Sequence, residues 1–272
     1  MSVSIIVASG KGGVGKSTLT ANLGAALASR GATAVIVDAD IGLRAQDALL
    51  GLQDRVVYDL VDVAGKDCAL EQALIASPGY PGLSLLPASQ FARARALEPE
   101  RLAKTLCRLK SSFDFILLDS PAGIERGFRN LANAGADETI LVCTPDDISM
   151  RDAERVSQIL EAKHLPRARL VVNRLDNELI RCGEMYSART AAQVLDLPLL
   201  GEIPEDPAVY RSILRHKLLI DYDCEARAAV FRIAARLQGE DIPFPAYGSR
   251  SIPLFRRLFR KDLKEVVPLD RH

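Results

Sequence analysis

Gly10-Lys-Gly-Gly-Val-Gly-Lys-Ser-Thr18 follows an apolar run, Val3-Ser-Ile-Ile-Val-Ala8, and opens an alanine- and leucine-rich stretch from Lys16 to Arg30. A strand, a glycine-rich turn and a helix are what a phosphate cradle requires. The N–H groups of such a turn converge on an anion, and the helix adds its positive N-terminal end. Gly10, Gly15, Lys16 and Ser17 satisfy the P-loop pattern G-x-x-x-x-G-K-[ST]. The spacing predicts a nucleotide-binding turn over Gly10, Lys11, Gly12, Gly13, Val14, Gly15, Lys16, Ser17 and Thr18. Lys11 is surplus to that pattern, which asks for one lysine where the turn carries two.

Outward from the turn, apolar runs alternate with helical patterns. Strands are expected at Ser2–Ala8, Ala34–Asp38, Leu83–Leu86, Phe113–Asp119, Thr139–Thr144, Arg169–Asn173 and Leu199–Ile203. Their Val, Ile and Leu run on without polar alternation, as in strands buried on both faces. Helices are expected at Lys16–Arg30, Leu70–Ile75, Pro99–Lys110, Met150–Lys163, Ala188–Leu195, Ala208–Arg215 and Cys224–Leu237. The alternation predicts an α/β fold: a mostly parallel sheet with helices on both faces, the three-layer sandwich of P-loop NTPases, followed by a C-terminal amphipathic helix. The body, residues 1–239, should end near Gly239. Residues 240–250, with two prolines and a glycine, read as a linker, and residues 251–272 as a separate tail.

Composition bounds the function. The 272 residues are 48% hydrophobic and 26% charged, with 35 Lys and Arg against 35 Asp and Glu, so no global charge points to nucleic acid. Five scattered cysteines show no metal-ligand or redox spacing, which fits a reducing cytosol. No apolar run approaches the eighteen or so residues of a membrane span. The one concentration of charge is local: Arg250, Arg256, Arg257, Arg260, Lys261 and Lys264 against Asp262.

Three acids complete a nucleotide site. The second strand runs into Asp38-Ala-Asp40, and Phe115-Ile-Leu-Leu-Asp119 is an apolar strand ending in a Walker-B-like aspartate. Carboxylates at the C-terminal ends of parallel strands beside a P-loop are placed to hold Mg²⁺ or an attacking water. Asp38, Asp40 and Asp119 join Ser17 as candidate metal-site residues. Strand ends at Asn173-Arg174 and Pro204-Glu-Asp206 lie where a base pocket is built in this architecture, although both are also ordinary turn chemistry.

GKGGVGKS, with its early lysine, resembles the deviant Walker A motif of the MinD/ParA family of ATPases. Asp40-Ile-Gly-Leu-Arg44 resembles switch I of the MinD branch, and Ser120, Pro121, Ala122 and Gly123 its switch II. Val57-Tyr-Asp59 and Leu86-Pro-Ala-Ser-Gln90 extend the likeness over nearly the whole chain. The resemblance implies an ATPase using ATP and Mg²⁺, with Asp40 orienting the hydrolytic water and Lys16 at the phosphates. It also implies that Lys11 reaches a second subunit's nucleotide in an ATP-dependent homodimer. Asn173, Arg174, Pro204 and Asp206 fall on the family's adenine contacts. The implied partners are a MinC-type division inhibitor and a MinE-type activator, with part of the partner surface on the helix carrying Arg151, Asp152 and Glu154. A solvated charged face is the usual explanation for those three residues.

At about 100° per residue, Leu254, Phe255, Leu258, Phe259, Leu263 and Val266 fall on one half of a helix. Arg257, Arg260, Lys261 and Lys264 fall on the other, with Arg256 at the boundary and Asp262 inside the apolar half. An apolar face opposite a basic one describes a helix lying in an anionic membrane interface, and the tail resembles the family's membrane-targeting helix. The expected location is the cytoplasm, peripheral on the inner face of the inner membrane. Rival readings are a flagellar-number or cell-pole ATPase and a DNA-partition ATPase. The latter needs a basic surface on the body, and no specific nucleic acid is expected here. An iron–sulfur reductase would need paired cluster cysteines, a setting Cys107 and Cys143 lack.

Overall fold

The computed structural model describes residues 2–90, 98–123, 126–162 and 168–245. Its first half runs β1 (Val3–Ala8), α1 (Lys16–Ser29), β2 (Ala34–Asp38), α2 (Gln46–Leu50), α3 (Leu60–Gly65), α4 (Leu70–Ala73), β3 (Ile75–Ala76), β4 (Leu83–Leu86) and α5 (Pro99–Leu109). The second half runs β5 (Phe115–Asp119), α6 (Arg126–Asn133), β6 (Glu138–Cys143), α7 (Asp147–Ala162), β7 (Ala168–Leu175), α8 (Asn177–Cys182), α9 (Ala188–Val194), β8 (Leu199–Pro204), α10 (Pro207–Leu214) and α11 (Glu225–Leu237).

Eight strands form one sheet in the order β3-β4-β2-β5-β1-β6-β7-β8. All neighbours are parallel except β3, which pairs antiparallel with β4 through Ile75 and Leu85. Alternate residues of each strand feed two cores. Ile6, Ala8, Val35 and Val37 pack beneath α3, α5, α6, α7 and α9. Ile5, Val7 and Ile36 pack beneath α1 and α11. This is the three-layer sandwich expected from the sequence.

The expected helix Leu70–Ile75 stops early. Leu74 turns extended (φ −75°, ψ 125°) and Ile75 joins the sheet edge. β-branched Ile75 gains more from pairing than from a fourth helical turn position. The short helices α2, α3, α6 and α8 were not expected, and α7 begins at Asp147 rather than Met150. Residues 240–245 are not free of the body. Arg236 donates to the carbonyls of Ile242 and Pro243, and its guanidinium lies 3.8 Å over the Phe244 ring. The tail, including Leu254, Phe255, Arg256, Arg257, Leu258, Phe259, Arg260 and Lys261, lies outside the described residues. No described helix is long and apolar enough to cross a membrane.

Candidate functional site

β1 is the central strand from which the chain winds outward in both directions, so the loops beyond the strands' C-terminal ends open a crevice above it. The P-loop occupies that crevice. Gly13 (φ 80°) and Gly15 (φ 93°) are in the left-handed region, which a side chain disfavours. A Cβ on Gly15 would also collide with the Asn173 amide, and one on Gly10 with the backbone of Asp152 on α7. These contacts clamp the turn from two sides. Asn173 Nδ2 donates to the Val14 carbonyl (2.8 Å), and Asn173 Oδ1 accepts from the Arg174 N–H (2.9 Å).

Register creates the acidic centre. β2 and β5 pair so that Asp38 lies directly beside Asp119, both fully buried. Asp38 accepts from the backbone N–H of Asp40 (3.1 Å) and of Gln46 (3.0 Å), and so fastens both ends of the loop that follows β2. Burial, and then the charge of Asp119, push its carboxyl up to about 7. Burial also raises the half-buried Asp40; Lys16 opposes that rise and Asp119 adds to it. The Lys16 ammonium sits 2.6 Å from Asp119 Oδ1 and 3.3 Å from Ser17 Oγ. Ser120 donates its N–H to the Val7 carbonyl, and Gly123 (φ 83°) donates to that of Ser9 (2.9 Å), so residues 120–123 are tied to the end of β1 where the P-loop begins.

Gln46 was missed in the sequence. Its side chain is fully buried, with Nε2 donating to Asp119 Oδ2 (2.6 Å) and to the Ser17 carbonyl (3.1 Å). Two acceptors on one side fix the amide's orientation, and its Oε1 is left buried without a partner. No spacing rule in the sequence singles out a glutamine six residues past Asp40.

These donors suit Mg²⁺. They are hard oxygens from Ser17, Asp119 and Asp40, and the orphaned Gln46 Oε1 can accept from a metal-bound water. Among the described residues no cluster of three or more His, Cys, Asp or Glu holds an ion unaided. Mg²⁺ typically takes one or two protein oxygens and completes its shell with water and phosphate. Both oxygens of Asp38 accept from backbone N–H groups, which fixes its carboxyl beside Asp119.

Beside the P-loop lies a small, largely apolar pocket between Gly15, Thr18, Leu19, Asn173, Ile203 and Leu219. Pro204, at the end of β8, is buried and does not line this pocket. Asp206 is held by the N–H groups of Ala208 (2.8 Å) and Ala226 (3.3 Å). Asn22, also missed in the sequence, accepts from the Ile220 N–H and fixes the pocket's far wall to α1. Arg174 points to solvent. Lys11 is exposed, and its charge falls on Asp146. Burial would raise that carboxyl, but hydrogen bonds from Thr144 and the Ser149 N–H, with Lys11 adding, hold it below the usual range. Arg151 and Glu154 are exposed as expected. Asp152 is not fully presented: it is half-buried against Gly10 and pairs with Arg155 at 3.6 Å.

Residues 5–220 match the model of the CobQ/CobB/MinD/ParA nucleotide-binding domain. The septum site-determining protein MinD of Synechocystis is 42% identical over 259 residues, 94% of this chain and 97% of that protein. The chain belongs to the MinD family of ATPases. The Helicobacter pylori MinD is 43% identical, covering 92% of this chain and 96% of that protein. Among solved structures, the MinC:MinD complex of Aquifex aeolicus superposes with a TM-score of 0.84 at 39% identity, over 90% of this chain and 99% of that one. The Pyrococcus horikoshii MinD with Mg-ADP gives 0.78 at 30%, over 87% and 96%. Within this MinD-family fold, Lys16, Ser17, Asp119 and Asn173 meet at the P-loop, whereas Arg174 stays at the surface.

One prediction arises from Asp38. Its folded-state pKa, about 7, lies above the unfolded 3.8. Its contribution to stability is therefore full below about pH 4 and falls away as the pH rises through about 7. Asp38→Asn should gain on the parent protein between about pH 4 and pH 8 in nucleotide-free thermal unfolding. A pH-independent difference would mean that Asp38 ionises normally.

Proposed function

We propose that the chain is a membrane-cycling ATPase of division-site selection. It dimerises with ATP on the cytoplasmic face of the inner membrane, recruits a MinC-type inhibitor, and is released when a MinE-type activator stimulates hydrolysis. The observation that carries this reading is the convergence of Lys16, Ser17, Asp119 and Asp40 beside the P-loop, with Lys11 exposed on the turn. A MinC partner follows from the relative crystallised with MinC, and bound nucleotide with magnesium from the relative holding Mg-ADP.

Asp40, half-buried at the mouth of the crevice, orients water for in-line attack on the γ-phosphate. Its raised pKa suits a carboxyl that handles a proton. Lys16 leaves Asp119 for the phosphate oxygens, and the partner subunit's Lys11 adds charge where the transition state spreads it. Mg²⁺, when bound, neutralises phosphate charge; Ser17 and Asp119 would hold it, with Gln46 ordering Asp119. The adenine would rest against Asn173, Arg174, Pro204 and Asp206.

The membrane half rests on the tail. Each cation near an anionic leaflet contributes about 1 kcal/mol, and each well-buried Leu or Phe roughly 1.5–3 kcal/mol. Ordering the helix opposes these gains by about 1 kcal/mol or more per residue. One tail binds marginally, and two tethered on a dimer gain roughly 10²–10⁴ in avidity. Deleting residues 251–272 should leave ATP binding intact and abolish ATP-dependent sedimentation with anionic liposomes. Continued sedimentation, or sedimentation displaced by DNA fragments, would refute this reading in favour of another anchor or of a partition ATPase.

A further inference from the structure

α10 is packed inside out. At about 100° per residue, the small residues Ala208 and Ser212 share the face turned to the body, where both are buried. Tyr210, Ile213 and Leu214 share the opposite face and are 68%, 43% and 62% exposed. Nine large apolar residues are exposed among the described residues, and this eight-residue helix carries three of them. Scattered exposed apolar residues are ordinary; a contiguous stripe marks a surface that something covers.

Charge indicates the occupant. Residues 208–220 contain Arg211, Arg215, His216 and Lys217 and no acid. Arg211, Arg215 and Lys217 are exposed, and none forms an ion pair among the described residues. A second copy seated face to face on this stripe would bring like charges together. The basic C-terminal tail, folded back on it, would do the same. An anionic lipid surface complements both halves, taking Tyr, Ile and Leu at the acyl boundary and the cations at the headgroups.

The chain's course permits this. α11 starts beside Asp206 and ends where Arg236 reaches the Leu200 carbonyl (2.9 Å), so it runs back along β8, away from α10. Residues 246–253 can span at most about 26 Å, more than the roughly 20 Å of the thirteen-residue α11. The length of residues 246–253 therefore does not hold the tail away from the level of α10.

We infer that α10 is a second membrane contact, on the ATPase body itself, that docks Tyr210, Ile213 and Leu214 on anionic lipid once the tail has attached. The inference rests on the membrane reading above and fixes the body's orientation on the bilayer. In the full chain, with Cys107 and Cys182 replaced by serine, an environment-sensitive fluorophore on I213C should shift to the blue with ATP and phosphatidylglycerol vesicles. It should then be quenched by a lipid-borne quencher. Tyr210→Ser, Ile213→Ser and Leu214→Ser together should weaken vesicle affinity about tenfold and leave ATP-dependent dimerisation unchanged. Vesicle binding with a water-exposed probe would overturn the α10 contact while leaving the tail reading intact. A probe that shifts with ATP alone would assign the stripe to a second copy, and one that shifts with DNA fragments to nucleic acid; either would overturn the proposal. Failure of the full chain to bind vesicles at all would sink both readings.

Discussion

Lys11→Ala is expected to remove subunit-dependent ATP hydrolysis by about 10²-fold or more without changing thermal stability. Lys11 is exposed on a turn whose conformation is set by Gly13, Gly15 and the clamp from Asn173. Its electrostatic contact with Asp146 is at the surface, where a charge pair contributes little. Little in the monomer needs it, which is why the loss should appear only when a second subunit is present. The rate per subunit should climb with protein concentration for the parent and stay flat for the variant. A variant rate that climbs in parallel would show that the lysine is not used across the interface.

Gln46→Ala should cost about 2–4 kcal/mol of stability and raise the Mg²⁺ concentration needed to half-saturate ATP binding. Asp119 sits in a dry setting with one oxygen on Lys16 and the other on the Gln46 amide. Removing the amide leaves a buried carboxylate oxygen without a donor, and such a group carries nearly its full desolvation penalty. Gln46→Glu should be worse than alanine, because it adds a third acid beside Asp38 and Asp119. Chemical denaturation measures the first effect and metal titration with a fluorescent ATP analogue the second. If Gln46→Glu proves as stable as the parent at about pH 8, the amide is not holding Asp119.

The repeating strand–helix grammar and the P-loop were legible because they depend on residues close in sequence. Asp38, Asp40 and Asp119 were legible as strand-end acids. That Asp38 and Asp119 would be side by side was not, since the β2–β5 register is set by the packing of two whole core faces. Gln46 and Asn22 were invisible for the same reason: their partners lie 73 and 198 residues away. Ala208–Arg215 read only as a helix. Its small stripe and its large stripe are both regular, and only the finished fold decides which one turns inward. Asp152 looked like a surface acid until the tight approach of α7 to Gly10 partly covered it.

The Lys16–Asp119 contact bears on the order of loading. A phosphate that draws the ammonium away would strip Asp119 of its counter-charge while Asp38 lies alongside, a deficit that a divalent cation held by Asp119 and Ser17 would make good. Each event thereby improves the conditions for the other, and by thermodynamic reciprocity the coupling runs equally in both directions. ATP and its metal should therefore enter this crevice cooperatively, and ATP offered with a chelator should find the lysine still committed to its aspartate.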